Sequence, residues 1–321
     1  MSPIDQHLLA LEPQARERVW GGQRLRPSNP PIGEMWVAYG PSRVMGGRYA
    51  GRTLDDLAVE FGPDLMGTAI AGRNGARFPL LVKLLDCADW LSVQVHPNDE
   101  QARRMVGPDE PGKTEAWYFL AAEPDSQIIL GVKPGVDQAQ LADAIRGGHI
   151  RDVAAKVDVL AGEAVLVPAG TLHALGPGLL LYEIQQASDT TYRVYDWDRP
   201  TSTGRKLHIE ESVEVTRAVV AAPAVRPAVP AGTGTSDAIE CPYFDVELVR
   251  VSTDGGPLAT NTAGRRFHIL TVLAGEIELA RGGERLGLGR FETALVAGSA
   301  GAYEIWATAG PATMLRAAVP D

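Results

Sequence analysis

The chain has 321 residues, of which 45% are hydrophobic and 22% charged, so it can bury a sizeable core, and its length favours two domains. Its formal net charge of −10 argues against nucleic acid and anionic membrane as partners, because both require a broad basic surface. An anionic substrate would therefore have to meet a local cationic pocket within an acidic protein.

The amino-terminal segment and the cysteines bear on the cellular compartment. Residues 1–20 lack a long apolar core between a basic head and a cleavage site, and no stretch approaches the roughly 20 apolar residues that cross a bilayer. Cys87 and Cys241 lie far apart in sequence and give no disulfide framework. We therefore expect a cytoplasmic protein without a membrane anchor.

The first part of the chain predicts short strands, loops and helices. Residues 1–50 are rich in Gly and Pro, which favours short strands and loops. A helix is predicted over Thr53–Glu60, where Thr53 with Asp56 resembles a capping box. A second helical pattern runs from about Val136 to Ile145.

A strand is predicted over Leu84–Val95, because this apolar run is interrupted only at residues 86–89. Side chains of a strand alternate between its two faces. Gln94 and His96 therefore project to one side, and Ser92 shares the face of Gln94.

A short helix and a further strand follow. Pro97 ends the first strand, and Asn98 or Asp99 can cap a helix through Met105. After a Gly/Pro-rich loop, Glu115 opens the next apolar run. An amide oxygen, an imidazole and a carboxylate can thus converge from neighbouring strands. This pattern predicts a metal site that requires one more ligand.

The fourth ligand is expected in the pattern G-x5-P-x-G-x2-H, which occupies residues 162–173. Ala164–Val167 is predicted to be a buried strand, and Pro168 with Gly170 to form a tight turn. His173 opens the next strand and completes the set of metal-binding candidates.

The rest of the chain predicts two further strands, a helix and a boundary. The strands are Leu179–Tyr182 and Tyr192–Tyr195, and the helix covers Leu207–Val220. Residues 221–237 are a low-complexity Ala/Pro/Gly/Thr segment without periodicity, which indicates an exposed linker or long loop. Short strands with turns between them then indicate a sandwich or barrel; they are Phe244–Val251, Phe267–Ala274, Ile277–Ala280 and Thr293–Val296.

These motifs resemble a known family. The G-x5-P-x-G-x2-H pattern resembles the second motif of the cupin superfamily. The words LSVQVHP, GKTE, VPAGTLHAL and EIQQASDTTYRVYDWDR, in this order between about Trp20 and Val215, resemble the type I phosphomannose isomerases, particularly their short bacterial form. Three departures stand out: Gln94 occupies the place of the first cupin histidine, Pro177 that of an asparagine, and Val37–Tyr39 that of Glu-Ile-Ser.

The resemblance implies a mainly β fold with two cupin-type jelly-roll or β-barrel units and a few short helices. We expect residues 1–220 to form a metal-binding catalytic cupin domain with helical insertions, and residues 221–237 to be a linker. Residues 238–321 would then form a cupin-like domain without ligands, because His268 has no paired histidine and no nearby carboxylate in motif spacing.

The resemblance also implies the metal. Gln94, His96, Glu115 and His173 would together bind one Zn²⁺ per chain. The ligand types alone allow iron, manganese, cobalt or nickel as well, because nitrogen and oxygen donors suit several divalent metals.

The implied activity is the interconversion of mannose 6-phosphate and fructose 6-phosphate through a cis-enediol. Lys113 matches the lysine of the family's K-x-E element, and Arg193 the arginine of its S-D-x-x-x-R pattern. Glu183 corresponds, with an offset of one residue, to an active-site carboxylate, and Ser92 to a serine near the substrate phosphate. Lys113 or Glu183 is thus the candidate base. Lys113, Arg193 and Ser92 are the candidate substrate contacts, with Arg193 stabilising negative charge or binding phosphate.

Other interpretations stay open at this point. Lys113 also suits a solvated loop, and Arg193 also suits a surface ion-pair network with nearby aspartates. A cupin isomerase for another sugar, a cupin dioxygenase, and a non-catalytic sugar-binding or regulatory cupin are the alternative functions. The departure at Val37–Tyr39 favours the last of these, whereas Gln and Glu as ligands favour a redox-silent site. The oligomeric state does not follow from the sequence.

Overall fold

The computed structural model describes residues 3–71, 77–199 and 205–321, and the chain forms two compact units that are each discontinuous in sequence. We call Ala15–Glu34 with Leu84–Val225 the site unit. The second unit consists of three segments, Met1–Gln14, Met35–Lys83 and Arg226–Asp321.

Strands dominate the described residues, and the helices are short. The strands are β1 (Leu8–Leu11), β2 (Gln14–Gly22), β3 (Ile32–Ala38), β4 (Leu80–Cys87), β5 (Val93–Val95), β6 (Glu115–Ala122), β7 (Gln127–Val132), β8 (Ala154–Asp158), β9 (Ala164–Val167), β10 (His173–Leu175), β11 (Leu179–Gln186), β12 (Tyr192–Tyr195), β13 (Gly234–Glu240), β14 (Asp245–Val251), β15 (Leu258–Asn261), β16 (His268–Ala274), β17 (Ile277–Arg281), β18 (Glu284–Leu288), β19 (Thr293–Val296), β20 (Ala302–Ala307) and β21 (Ala312–Ala318). The helices are α1 (Leu54–Phe61), α2 (Pro63–Met66), α3 (Asp99–Met105), α4 (Gln138–Arg146) and α5 (Ile209–Val215).

The site unit contains two sheets. One has the strand order β12-β5-β10-β7-β8, and the other the order β2-β3-β4-β11-β6-β9, in which the unit boundaries fall within β2, β3 and β4. Trp117 and Phe119 of β6 share an apolar core with Leu181 of β11, and this core also takes in Ile128 and Leu130 of the other sheet. The two sheets therefore pack face to face, as the prediction of a mainly β cupin-type fold requires.

The outer face of the five-stranded sheet is covered by helices. Val93 and Val95 of β5 point away from the first core and pack with Leu141 and Ile145 of α4 and with Val215 of α5. Because strand side chains alternate, Gln94 lies on the opposite face from these valines. The helices thus bury one face of the sheet and leave its other face for the interior of the unit.

Helix starts follow the predicted caps. Thr53 and Asp56 form the predicted capping box of α1, and Asn98 caps α3 by accepting a hydrogen bond from the backbone N–H of Gln101. The helix predicted over Leu207–Val220 is shorter than expected. It ends at Val215, because Thr216 is extended and Val220 forms a backbone bridge to Gly131.

The second unit, which includes α1 and α2, also contains two sheets. Their strand orders are β1-β19-β16-β21-β14-β13 and β15-β20-β17-β18. Their shared core takes in Leu8, Val249 and Leu270 of the first sheet and Leu279 and Ile305 of the second. The predicted β character of the carboxy-terminal region is confirmed.

The domain boundaries differ from those expected from the sequence, which were consecutive. Residues before Ala15 belong to the second unit, because β1 pairs with β19 and Leu8 lies opposite Val296. The expected linker over 221–237 also contains paired backbone. The N–H of Val225 donates to the carbonyl of Ala164 at 2.9 Å, and Gly234 begins β13.

Within residues 3–71, 77–199 and 205–321, no helix has the length and apolar character needed to pass through a bilayer.

Candidate metal centre

The predicted strand over Leu84–Val95 is in fact two strands in different sheets, β4 and β5. The polar interruption at residues 86–89 is the turning point. The backbone N–H groups of Ala88 and Asp89 donate to the carbonyl of Trp20, and the N–H of Leu91 then donates to Leu175 of β10. This crossing carries the chain from one sheet to the other.

The five-stranded sheet presents three of the predicted residues in register. Gln94 of β5 pairs with His173 of β10 on one side and with Arg193 of β12 on the other. Directly paired residues project to the same face, and His96 follows Gln94 by two positions. The carbonyl of His96 also accepts a hydrogen bond of 2.9 Å from the N–H of Gly170, which fixes the turn before His173.

Glu115 reaches the same point from the opposite sheet. It begins β6, where it pairs with Val167 of β9 and Gln185 of β11. The expectation that these side chains converge from neighbouring strands is therefore wrong in one respect. Glu115 meets His96 and His173 across the interior between facing sheets, because β5 and β6 are not paired.

His96, Glu115 and His173 form a compact buried cluster. Their candidate ligand atoms all lie within 4.8 Å of one another. Each histidine Nε2 is 3.2 Å from a different oxygen of Glu115, Oε2 for His96 and Oε1 for His173. Each of the three side chains is only 1% exposed, so water does not solvate this group of polar atoms.

The outer nitrogens of both imidazoles are held by backbone carbonyls. Nδ1 of His96 donates to the carbonyl of Thr190 at 2.9 Å, and Nδ1 of His173 donates to that of Thr171 at 2.8 Å. With the proton on Nδ1, each Nε2 presents a lone pair to the centre. These two Nε2 atoms and both oxygens of Glu115 have no hydrogen-bond partner among the described residues.

The charge states suit a cation. Burial and then the Lys113 ammonium lower the pKa of His96 to about 3, so its ring is neutral at physiological pH. Burial acts to raise the pKa of Glu115, but Lys113, His173 and His96 outweigh it and hold that pKa well below its usual range. The Nε2 atoms of the two imidazoles and the carboxylate oxygens, buried without hydrogen-bond partners among the described residues, fit a divalent metal cofactor.

Lys113 lies beside the cluster, as its place two residues before Glu115 predicts. It is 4% exposed, and its Nζ is 3.4 Å from Oε2 of Glu115. The alternative of a solvated loop cation is therefore excluded by the burial of Lys113.

Glu183 faces the same interior one strand away. It pairs with Trp117 of β6, whose Nε1 donates to Oε2 of Glu183 at 3.1 Å, and it is 5% exposed. The Trp117 ring in turn meets the His173 ring edge-on at 5.6 Å between centroids. Ser92, which precedes β5, is buried as well.

Arg193 is half-buried on β12. Its Nη1 donates to the carbonyl of Lys206 at 2.9 Å, while its buried Nε has no hydrogen-bond partner within the described residues. Burial, and then the charge of Arg205, lower the pKa of Arg193. The alternative role in an ion-pair network is filled by other arginines at Asp196, whose ion pairs are made by Arg199 and Arg205.

Two residues near Lys113 were not anticipated from the sequence. Gln186 and Asp99 hold the loop that contains Lys113 through hydrogen bonds. Gln186 ends a strand whose predicted extent stopped at Tyr182, so the sequence carried no signal for its contact with the loop.

Comparison with known proteins gives consistent results. The model of the catalytic domain of type I phosphomannose isomerase matches residues 8–116. The mannose-6-phosphate isomerase of Streptococcus mutans is 38% identical over 298 residues, which cover 87% of this chain and 89% of that protein. Mannose-6-phosphate isomerase ManA of Bacillus subtilis is 37% identical over 295 residues, with coverages of 85% and 88%.

Solved structures show the same architecture. The mannose 6-phosphate isomerase structure from Bacillus subtilis superposes with a TM-score of 0.84 at 30% identity, covering 97% of this chain and 99% of that one. A zinc-bound mannose 6-phosphate isomerase has a TM-score of 0.74 at 16% identity, with the same coverages, and at that identity it supports the fold alone.

Proposed function

Because this chain belongs to the type I phosphomannose isomerase family, we propose that it interconverts mannose 6-phosphate and fructose 6-phosphate at the site formed by His96, Glu115 and His173. The observation that carries the proposal is the buried cluster of two imidazoles and a carboxylate with Lys113 at 3.4 Å from it. A metal-binding group and a candidate acid/base group thus occupy one interior.

The reaction sets the requirements. A proton moves between C1 and C2 of the open-chain sugar through a cis-enediol, so a base must reach the carbon-bound proton. Negative charge that develops on the sugar oxygens must be stabilised, and the phosphate must be held away from the reacting carbons. Each requirement has a candidate group in the site unit.

His96, Glu115 and His173 would hold the metal, with Gln94 as a fourth ligand. The pairing of Gln94 with His173 supports this role, since it brings both side chains to the same face. A divalent cation in this position supplies Lewis-acid stabilisation of the oxygens of the sugar. Zinc is the metal that we propose, because this donor set suits zinc and a solved isomerase of the same fold is zinc-bound.

Lys113 and Glu183 are the candidates for proton transfer. Glu183 can accept a proton directly as a carboxylate, and the hydrogen bond that its Oε2 accepts from Nε1 of Trp117 helps to orient the group. Lys113 can act as a base only as the neutral amine, and as an ammonium it can donate a proton or a hydrogen bond to a sugar oxygen. Both side chains are buried, which favours a role in proton transfer over a role as solvated surface charges.

Arg193 and Ser92 are the candidates for holding the phosphate or the developing charge. Arg193 pairs with Gln94, and its Nε is buried without a hydrogen-bond partner in the described part of the chain, which supports a bound anion as its missing acceptor. Ser92 precedes Gln94 by two positions and is buried.

The test is turnover of mannose 6-phosphate by the purified, metal-loaded protein, followed by a coupled assay for fructose 6-phosphate. Activity should disappear after chelation and return with a divalent cation. Binding of mannose 6-phosphate without turnover would favour a sugar-binding protein, and turnover of another sugar alone would change the substrate.

A further inference from the structure

Lys113 lies outside the hydrogen-bonded strands that fix the metal-binding cluster. β6 begins only at Glu115, and the residues before it form a loop after α3. Among the described residues, Lys113 has one backbone hydrogen bond: its N–H donates to the carbonyl of Pro97 at 2.9 Å. A long side chain on such a loop needs further contacts to stay in one position.

Gln186 supplies those contacts from the end of β11. Its Oε1 accepts a hydrogen bond of 2.9 Å from the N–H of Thr114, and its own N–H donates to the carbonyl of Thr114 at 3.2 Å. Gln186 therefore binds both backbone groups of the residue that follows Lys113. It is 7% exposed, so these bonds do not compete freely with water.

Asp99 completes the arrangement from the first turn of α3. Its Oδ1 accepts hydrogen bonds from Nε2 of Gln186 at 2.9 Å and from the N–H of Gly112 at 2.8 Å. Gly112 and Thr114 flank Lys113 on either side. The backbone N–H groups of the residues before and after the lysine are thus linked to one another through two side chains.

We propose that Gln186 and Asp99 act as a clasp that positions Lys113 for the isomerase reaction. Neither residue lies among the metal-binding candidates. The hydrogen bonds described above join them to the backbone of the loop and to each other, so we classify them as positioning residues. Glu115 is held independently by its strand pairs on both sides. Loss of the clasp should therefore loosen Lys113 without releasing the metal. The inference rests on the proposed role of Lys113.

The first variant is Gln186→Met in the metal-loaded enzyme, because methionine keeps the volume of the side chain and removes the two hydrogen bonds of its amide, to Thr114 and Asp99, while the backbone bond to the Thr114 carbonyl remains. We expect kcat to fall by about 10- to 100-fold, since small misplacements of a catalytic group have effects of this order. KM should change little, and the metal content should equal that of wild type. Amide hydrogen exchange should accelerate in residues 112–114 and stay slow in β6.

Gln127→Met is the matched control. Nε2 of Gln127 donates to Oδ1 of Asp158 at 2.8 Å, the same type of bond between a strand glutamine and an aspartate, but at an exposed position. This variant should keep wild-type kcat and wild-type exchange in residues 112–114. A comparable loss of kcat in Gln127→Met would show a general effect on the fold and overturn the proposal.

Asp99 provides a second pair of variants in case Gln186→Met does not fold, because Asp99 is only half-buried. Asp99→Asn keeps an acceptor oxygen and should retain activity, whereas Asp99→Ala should reproduce the loss of kcat and the faster exchange. Equal activity in these two variants would contradict the clasp.

The double variant Lys113→Ala/Gln186→Met separates this inference from the proposed function. If the clasp acts through Lys113, the double variant should be no slower than Lys113→Ala alone. An additive loss, or wild-type kcat in Gln186→Met beside a slow Lys113→Ala, would overturn the clasp. Wild-type kcat in Lys113→Ala would instead refute the role of the lysine itself.

Discussion

Gln94 and His173 are directly paired residues of two neighbouring antiparallel strands, so their side chains leave the sheet on the same face. His173 contributes a buried Nε2 to the metal-binding cluster on that face. We therefore propose the amide oxygen of Gln94 as the fourth ligand beside His96, Glu115 and His173, since zinc commonly takes four ligands.

The first prediction concerns metal affinity. His96→Ala and His173→Ala should lose the metal, because each removes one of two nitrogen donors, and Gln94→Ala should bind it at least 10-fold more weakly. Competition with a chelator, followed by elemental analysis, measures this. His149→Ala, at an exposed position of the site unit, should bind like wild type. Full metal occupancy in both histidine variants would refute the assignment of His96 and His173 as metal ligands.

The second prediction concerns Lys113. Lys113→Ala should keep the metal and lose about 10²–10⁴-fold in kcat if the lysine transfers a proton. Lys133 serves as the control, because its Nζ donates to a backbone carbonyl at an exposed site. If kcat stays near wild type and only KM rises, Lys113 binds substrate without acting in catalysis.

The third prediction is one metal per chain, with the second unit contributing no ligand. In that unit, Nδ1 of His268 forms a hydrogen bond of 2.8 Å with the hydroxyl of Tyr303. His268 belongs to no candidate metal-binding group among the described residues. Elemental analysis should give a ratio of one metal per chain for wild type and for His268→Gln. A second metal that His268→Gln releases would make the protein a two-site enzyme.

The candidate site could be predicted largely from the sequence because its signals are local. The alternation of Gln94 and His96, the turn before His173 and the cap at Asn98 each depend on residues within a few positions. Spacing indicates a metal site, whereas the choice of zinc, the substrate and the role of Lys113 come from the resemblance to a family.

Long-range pairing could not be predicted in the same way. The strand β1 pairs with β19, and Gln186 binds Thr114, although the local sequence of neither segment indicates which segment it contacts. The sequence predicts that the polar break at residues 86–89 interrupts a single strand. In the structure, residues of this break donate hydrogen bonds to Trp20, and the chain passes there from one sheet to another. Such choices depend on the packing of the whole unit rather than on local propensity.

The environment of His268 gives a further prediction, on stability and pH. The side chain is buried in the second unit, and burial, then the charges of Arg316 and Arg266, lower its pKa to about 3 from the ordinary 6.5. The folded state therefore binds this proton less readily than the unfolded state does. The titration of His268 therefore leaves the free energy of unfolding unchanged above pH 6.5 and lowers it as the pH drops from 6.5 towards 3.

For this single group, the loss of unfolding free energy between pH 7.5 and pH 5 should be about 2 kcal/mol. Urea unfolding of wild type and of His268→Gln at both pH values measures it. The wild type should lose about 2 kcal/mol more than the variant, because glutamine does not titrate and every other ionisable group is common to both proteins. His149→Gln, at an exposed position, should show the wild-type difference. Equal pH dependence in wild type and His268→Gln would mean that His268 binds its proton as readily in the folded as in the unfolded state.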